Sequence, residues 1–164
     1  MLGRAYWIDA PRAGRLAIMA RPRSGDWLAD EIAGWKQAGI DTVVSLLEPE
    51  EAAELGLSLE AELCGAEKIE FVAFPIPDRG VPVSLREATT LVESVRARLA
   101  AGKAVAVHCR AGIGRSALVA ACALTRFGYE ASEAFALIAA SRGLTVPDTD
   151  AQRDWVVSFG NAAR

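Results

Sequence analysis

Apolar residues in this chain follow two rhythms that take turns. Short apolar runs bounded by turn residues occur at Tyr6-Trp7-Ile8, Leu16-Ala17-Ile18-Met19, Thr42-Val43-Val44-Ser45-Leu46-Leu47 and Val105-Ala106-Val107. Runs of that length read as strands. Residues 68–74 alternate instead, with Ile69, Phe71 and Ala73 on one side and Val72 and Phe74 on the other, which also predicts a strand. Between these runs the spacing becomes helical. Leu28, Ile32 and Trp35 share one face, and so do Leu85, Ala88, Leu91, Val92, Val95 and Leu99.

Turn and cap residues mark the boundaries. Asp9, Pro11 and Gly14 separate the first two strands and predict an antiparallel hairpin. Arg21-Pro22-Arg23 breaks the chain, Asp26 is the expected N-cap of the first helix, and Gly39 ends it. Glu48-Pro49 opens a helix from Glu50 to Leu55 that stops at Gly56. Ser58 is expected to cap the next helix through about Cys64, with Leu59 and Leu63 inward. Ser84-x-x-Glu87 is a capping box. Ser116 to Leu124 is rich in Ala and Leu and reads as a helix, with Gly128 breaking the run. Ser132 is the expected cap of a helix that turns Ala134, Leu137 and Ile138 inward and ends at Gly143. A last helix begins near Thr149 and carries Trp155, Val156 and Phe159.

Strands that alternate with helices of crossover length predict an α/β fold. The expectation is a central, mostly parallel mixed sheet with helices on both faces. At 164 residues the chain reads as a single domain over 1–164, with the hairpin of residues 1–20 part of it. The wholly apolar Val105–Val107 run suits a central strand buried on both sides, and ligands sit at the carboxyl ends of such strands.

Composition narrows the function classes. A hydrophobic fraction of 52% and a charged fraction of 24% are those of a compact soluble protein. A net charge of −3 speaks against a general nucleic-acid binder and gives no bias toward membranes. No run reaches transmembrane length, and Met1-Leu2-Gly3-Arg4 leads into no long apolar run, so no signal peptide is expected. Cys64, Cys109 and Cys122 are odd in number and lack a CxxC pair. They form neither a disulfide framework nor a zinc site by pattern, and a reducing cytoplasmic location is expected. His108 is the sole histidine, which leaves no His-based metal cluster or Ser-His-Asp triad elsewhere.

The chemistry concentrates in His108-Cys109-Arg110-Ala111-Gly112-Ile113-Gly114-Arg115-Ser116, between a strand and a helix. Two glycines let backbone N–H groups converge and let a ligand approach closely. N–H groups at a helix N-terminus attract anions, because they lack partners and the helix dipole favours negative charge. Arg115 adds a guanidinium fork that matches two phosphate oxygens. The loop from Arg110 through Ala111, Gly112, Ile113 and Gly114 to Arg115 is therefore expected to hold a tetrahedral anion such as phosphate or sulfate. The same field would ionise Cys109, since thiols in such settings have pKa values of about 3.5–7.5, and would make it a nucleophile. Ser116 is placed to hydrogen-bond the sulfur. His108 orients the loop through backbone hydrogen bonds.

His108-Cys109-x-x-Gly112-x-x-Arg115-Ser116 resembles the signature of the cysteine-dependent protein tyrosine phosphatases in their small dual-specificity form. The resemblance implies a protein tyrosine phosphatase-like fold and a second site on a stiff loop upstream. Phe74-Pro75-Ile76-Pro77-Asp78-Arg79-Gly80-Val81-Pro82 is such a loop, and Asp78 stands 31 residues before Cys109. In the family an aspartate there protonates the leaving oxygen and then activates water. Ile76 replaces the tryptophan of the larger enzymes, which places the resemblance nearer the cyclin-dependent kinase inhibitor 3-like branch.

What the resemblance implies is a metal-independent, cofactor-free phosphatase with a cysteinyl-phosphate intermediate, acting on phosphorylated proteins or peptides. Tyrosine is expected to be preferred over serine or threonine. A phosphoinositide or inositol phosphate phosphatase is the alternative enzyme, though Ala111 and Ile113 stand where extra loop lysines would help. A phosphoprotein-binding module without turnover is the non-enzymatic alternative, and the intact Cys109, Arg115 and Asp78 argue against it. Arg21 and Arg23 read as solvated surface charge or as the rim of an anion site, the first being preferred. In some members a glutamine at the position of Gln152 positions the hydrolytic water, but Thr149-x-x-Gln152 is equally a capping box, the preferred reading. Cys64 and Cys122 read as small buried residues or as partners for an oxidised Cys109.

Overall fold

The computed structural model describes residues 4–162; residues 1–3, where the absence of a leader is expected, lie outside them. Five strands form one sheet: β1 (Tyr6–Trp7), β2 (Leu16–Met19), β3 (Thr42–Ser45), β4 (Glu70–Ala73) and β5 (Val105–His108). Their spatial order is β1-β2-β5-β3-β4. The β1–β2 pair is the expected antiparallel hairpin, with Tyr6 opposite Ile18, and all the other pairs are parallel. Among the described residues there are seven α-helices: α1 (Leu28–Gln37), α2 (Pro49–Glu54), α3 (Glu60–Ala66) and α4 (Leu85–Ala100) connect strands, and α5 (Arg115–Thr125), α6 (Ala131–Arg142) and α7 (Asp150–Ala162) follow β5.

Strand alternation divides the core into two layers. Val105 and Val107 of β5 face one layer with residues of α4, α5, α6 and α7, while Ala106 faces a second layer with Leu28, Ile32 and Trp35 of α1 and Cys64 of α3. The sheet is thus covered on both sides, as parallel sheets require. β4 lies at the margin and is only half-covered. All of α5 except Thr125 is buried, so a helix apolar nearly all round sits inside the α4–α7 layer.

Three expected caps are corrected. Asp26 lies inside a short 3-10 turn, Gly25–Trp27, that precedes α1. Ser58 does not cap α3, whose N-cap is Leu59. Ser132 lies within α6, whose N-cap is Glu130 in a capping box with Glu133. The Glu48–Glu51 box does the same at α2. In both, a glutamate accepts the N-terminal amide that serine or aspartate more often takes. Other boundaries agree: Ser84 Oγ accepts from the Glu87 amide at 3.1 Å, and Gly143 closes α6 in the left-handed conformation.

Candidate active site

The loop between β5 and α5 lies at the carboxyl end of the central strand. The carbonyls from His108 to Gly112 are turned outward to named donors. His108 O accepts from the Leu46 amide at 3.0 Å and Arg110 O from the Arg21 amide at 3.1 Å. Cys109 O accepts from His108 Nδ1 at 3.2 Å. Arg142, at the end of α6, donates from Nε to Gly112 O (3.0 Å) and from Nη2 to Ala111 O (3.2 Å). The amide hydrogens of Arg110, Ala111, Gly112, Ile113, Gly114 and Arg115 have no acceptor among the described residues. Gly112, Gly114 and Arg115 are buried, and buried amides rarely stay unpaired. A run of free N–H groups at the start of a helix is the donor side of an anion site.

Two glycines make this shape feasible. Gly112 has φ +70°, and a Cβ there would come within 2.6 Å of the Met19 and Ala20 backbone at the end of β2. At Gly114 a Cβ would run into the Asp148 carboxylate and the Gln152 amide.

Cys109 is buried at the base of the loop, with Sγ 3.3 Å from Ser116 Oγ. Arg115 is buried beside them. Its Nη1 donates to Glu51 Oε1 at 2.8 Å and Ile76 O at 3.0 Å, and its Nη2 to Glu51 Oε2 at 2.9 Å. Asp78 Oδ1 lies 3.2 Å from Nη2, and Nε has no acceptor among the described residues. Burial works against the charge of Arg115, but hydrogen bonds to Glu51 and the charges of Cys109, Glu51 and Asp78 outweigh it and raise its pKa. Hydrogen bonding to Arg115 in turn holds the Glu51 carboxyl below its usual range against its own burial.

His108 is fully buried, and besides the Cys109 carbonyl it has a second partner. Its Nε2 lies 2.6 Å from Glu60 Oε2, and the Trp35 ring packs at 6.2 Å. Because a carbonyl only accepts, Nδ1 is the donor to Cys109 O. Gln152 makes the expected cap, its Oε1 accepting from the Asp148 and Thr149 amides, and its Nε2 also ties down Gly80 O in the Asp78 loop at 3.0 Å. Arg21 meets the loop through its backbone amide while its Nη1 donates to Pro22 O at 3.2 Å, and Arg23 pairs with Glu31. Cys64, Cys109 and Cys122 are in no disulfide. Burial, and next the Glu60 charge, push Cys64 up to about 12.

Every expected site residue comes to this loop: Cys109, Arg110, Ala111, Gly112, Ile113, Gly114, Arg115 and Ser116 form it, His108 anchors it and Asp78 faces it. Sequence reasoning misses Glu51, Glu60, Arg142 and Asp148. For Glu51 a signal existed, since Glu48-Pro-Glu-Glu51 is itself a box, though nothing local points it at Arg115. A family model described as "Polymorphic toxin system, DSP-PTPase phosphatase" matches residues 17–129. The chain belongs to this phosphatase family. The DSP-PTPase match contains Asp78 and the whole Cys109–Ser116 loop, and ends before Arg142, Asp148 and Gln152.

Solved phosphatase structures share the fold. Kinase-associated phosphatase, with serine in place of its catalytic cysteine, matches with a TM-score of 0.89 at 20% identity, over 99% of this chain and 96% of that one. Tk-PTP in its active form matches at 0.78 and 26% identity, over 98% and 99%. PTPMT1 in complex with PI(5)P matches at 0.73 and 21% identity, over 90% of each chain. No curated protein sequence matches the chain.

Proposed function

We propose that the chain, as one phosphatase domain spanning 1–164, hydrolyses phosphotyrosine in proteins, and to a lesser degree phosphoserine and phosphothreonine, through a cysteinyl-phosphate. The observation that carries this reading is the set of unpaired loop amides around Cys109, backed by Arg115. Cys109 Sγ, as thiolate, attacks phosphorus while the amides and Arg115 hold the equatorial oxygens. The phosphorus–oxygen bond breaks, and Asp78 gives its proton to the leaving oxygen. Asp78 then takes a proton from water, the water oxygen bonds phosphorus, and the sulfur leaves as thiolate with Ser116 donating to it.

The Arg115 contacts give Asp78 a reason to change partners. Glu51 and backbone carbonyls occupy Nη1 and one side of Nη2. A phosphoryl group taking the free Nε and Nη2 displaces Asp78 from Nη2, freeing the carboxyl to face the leaving group. No metal or cofactor enters this scheme, because Arg115 and the amides supply the positive field. We place the protein in the cytoplasm, where its thiol stays reduced, with no nucleic-acid or membrane partner; no described helix is long and apolar enough to cross a membrane. Within the family, full-length likeness in fold to kinase-associated phosphatase supports the cyclin-dependent kinase inhibitor 3-like branch.

A phosphoinositide substrate is the second reading, supported by likeness in fold to PTPMT1 holding PI(5)P. The test is turnover of para-nitrophenyl phosphate in EDTA, followed by a phosphotyrosine peptide against a short-chain phosphatidylinositol phosphate. Turnover should persist in EDTA, vanish in Cys109→Ser, and fall about 10²–10⁴-fold in Asp78→Ala. Full activity in Cys109→Ser would remove the nucleophile from this scheme. A higher kcat/KM on the lipid would transfer the assignment to the second reading.

A further inference from the structure

The carbonyls of Ala111 and Gly112, at the tip of the anion loop, are held by one side chain. Arg142 donates Nη2 to the first at 3.2 Å and Nε to the second at 3.0 Å. The other outward carbonyls are held by backbone amides of neighbouring segments or by His108. A peptide unit carries its C=O and the next N–H on opposite sides. Fixing Ala111 O therefore fixes the Gly112 N–H, and fixing Gly112 O fixes the Ile113 N–H. The linkage most free to rotate is here, because Gly112 sits at φ +70° and glycine tolerates both signs of φ.

Arg142 is itself held. Its guanidinium carbon lies 4.3 Å from the centroid of the Tyr6 ring on β1. Both residues fall outside the region that the family model matches, residues 17–129. At the last turn of α6, Arg142 would ordinarily be read as a charge favoured by the helix dipole. Its hydrogen bonds go to the loop of another element instead.

We propose that Arg142 is a positioning residue for the phosphoryl group: a clasp, backed by Tyr6, that sets the Gly112 and Ile113 amides toward the anion before it binds. This rests on the reading of the loop as the phosphoryl site. Without the clasp those two peptides turn over, and two of the six loop donors are lost in part of the population. The guanidinium fork matters, because one lysine ammonium has no planar fork for both carbonyls.

The test compares wild type with Arg142→Ala, Arg142→Lys and Tyr6→Leu. Orthovanadate affinity and kcat/KM on para-nitrophenyl phosphate should fall about ten- to hundredfold in Arg142→Ala, with thermal melting in phosphate-free buffer as the folding control. Arg142→Lys should lie near Arg142→Ala. Recovery to the wild-type level in Arg142→Lys would reduce the residue to a through-space charge and overturn the clasp. Backbone amide NMR without ligand gives an independent reading: the Gly112 and Ile113 resonances should broaden or shift in the variants while those of α5 stay put. Unchanged resonances and vanadate affinity in a folded Arg142→Ala would overturn the inference. If that variant does not fold, Tyr6→Leu, which keeps the arginine, should show the same changes to a smaller degree, and wild-type behaviour there would count against it. Absence of turnover and vanadate binding in wild type would instead defeat the phosphatase reading, with the ligand-free resonances still deciding the clasp.

Discussion

Gly112 meets two demands at once, a left-handed backbone and a contact with β2 too close for any side chain. Gly112→Ala should therefore cost about 1–3 kcal/mol of stability and abolish measurable para-nitrophenyl phosphate turnover, read by denaturant melts and steady-state rates. Glu51→Gln tests the other buried contact. It leaves Arg115 one of its two side-chain hydrogen bonds at this position and removes the carboxylate that binds it in bidentate fashion, with Asp78 still beside Nη2, so vanadate affinity should hold while stability falls by about 1–3 kcal/mol. The residues of the candidate loop were legible in the sequence because they are local: Cys109, Gly112, Arg115 and Ser116 lie within one stretch. Glu51, Glu60 and Arg142 were not, because each is tied to its partner only by the packing of separate helices, which no short-range spacing records. Asp78 lies between the two cases, readable as a stiff-loop carboxylate yet given its meaning only by the 3.2 Å approach to Arg115.

Elements show a similar split. Hydrophobic rhythm predicts every strand, the two sides of β4 and most of the helix faces, because the two core layers impose it directly. Leu59 and Leu85, expected inward, instead stand exposed at the starts of α3 and α4, where the helix has not yet turned onto the core. Helix starts were less legible. Ser58 and Ser132 have the side chains that favour N-caps, but glutamates at Glu48 and Glu130 close the boxes at α2 and α6. Charge ties between elements lead to a prediction about acid. Hydrogen bonding to Arg115 lowers Glu51, to Arg98 lowers Glu70, and to Arg96 lowers Glu93, which Arg126 also engages. A carboxyl lowered in the folded state binds its proton more readily when unfolded. These pairs therefore stabilise the fold above the ordinary value of 4.5, and the contribution fades as pH falls through each lower folded value. Denaturant midpoints should drop below that pH, and Glu51→Gln with Glu70→Gln should flatten the acid limb. An unchanged limb in the double variant would assign acid unfolding to other groups.

At the scale of the whole molecule, the sheet places the loop by topology. β5 sits between two parallel neighbours and delivers Cys109 at its carboxyl end, where Met19 and Ala20 on one side and Leu46 on the other meet the loop backbone. Each covered face is contributed by segments distant in sequence, so a variant that loosens either layer should weaken vanadate binding without touching the loop. Leu118→Ala, in the fully buried helix, should lose about 2–5 kcal/mol and some anion affinity together. The inward placement of α5 also bears on how the protein comes apart. Because the segment that begins with Arg115 is enclosed on nearly every side, the anion cup has no route to melt ahead of the interior. Loss of vanadate binding and loss of circular dichroism should trace one curve in urea, and two separate midpoints would show that the cup is an independent cooperative unit.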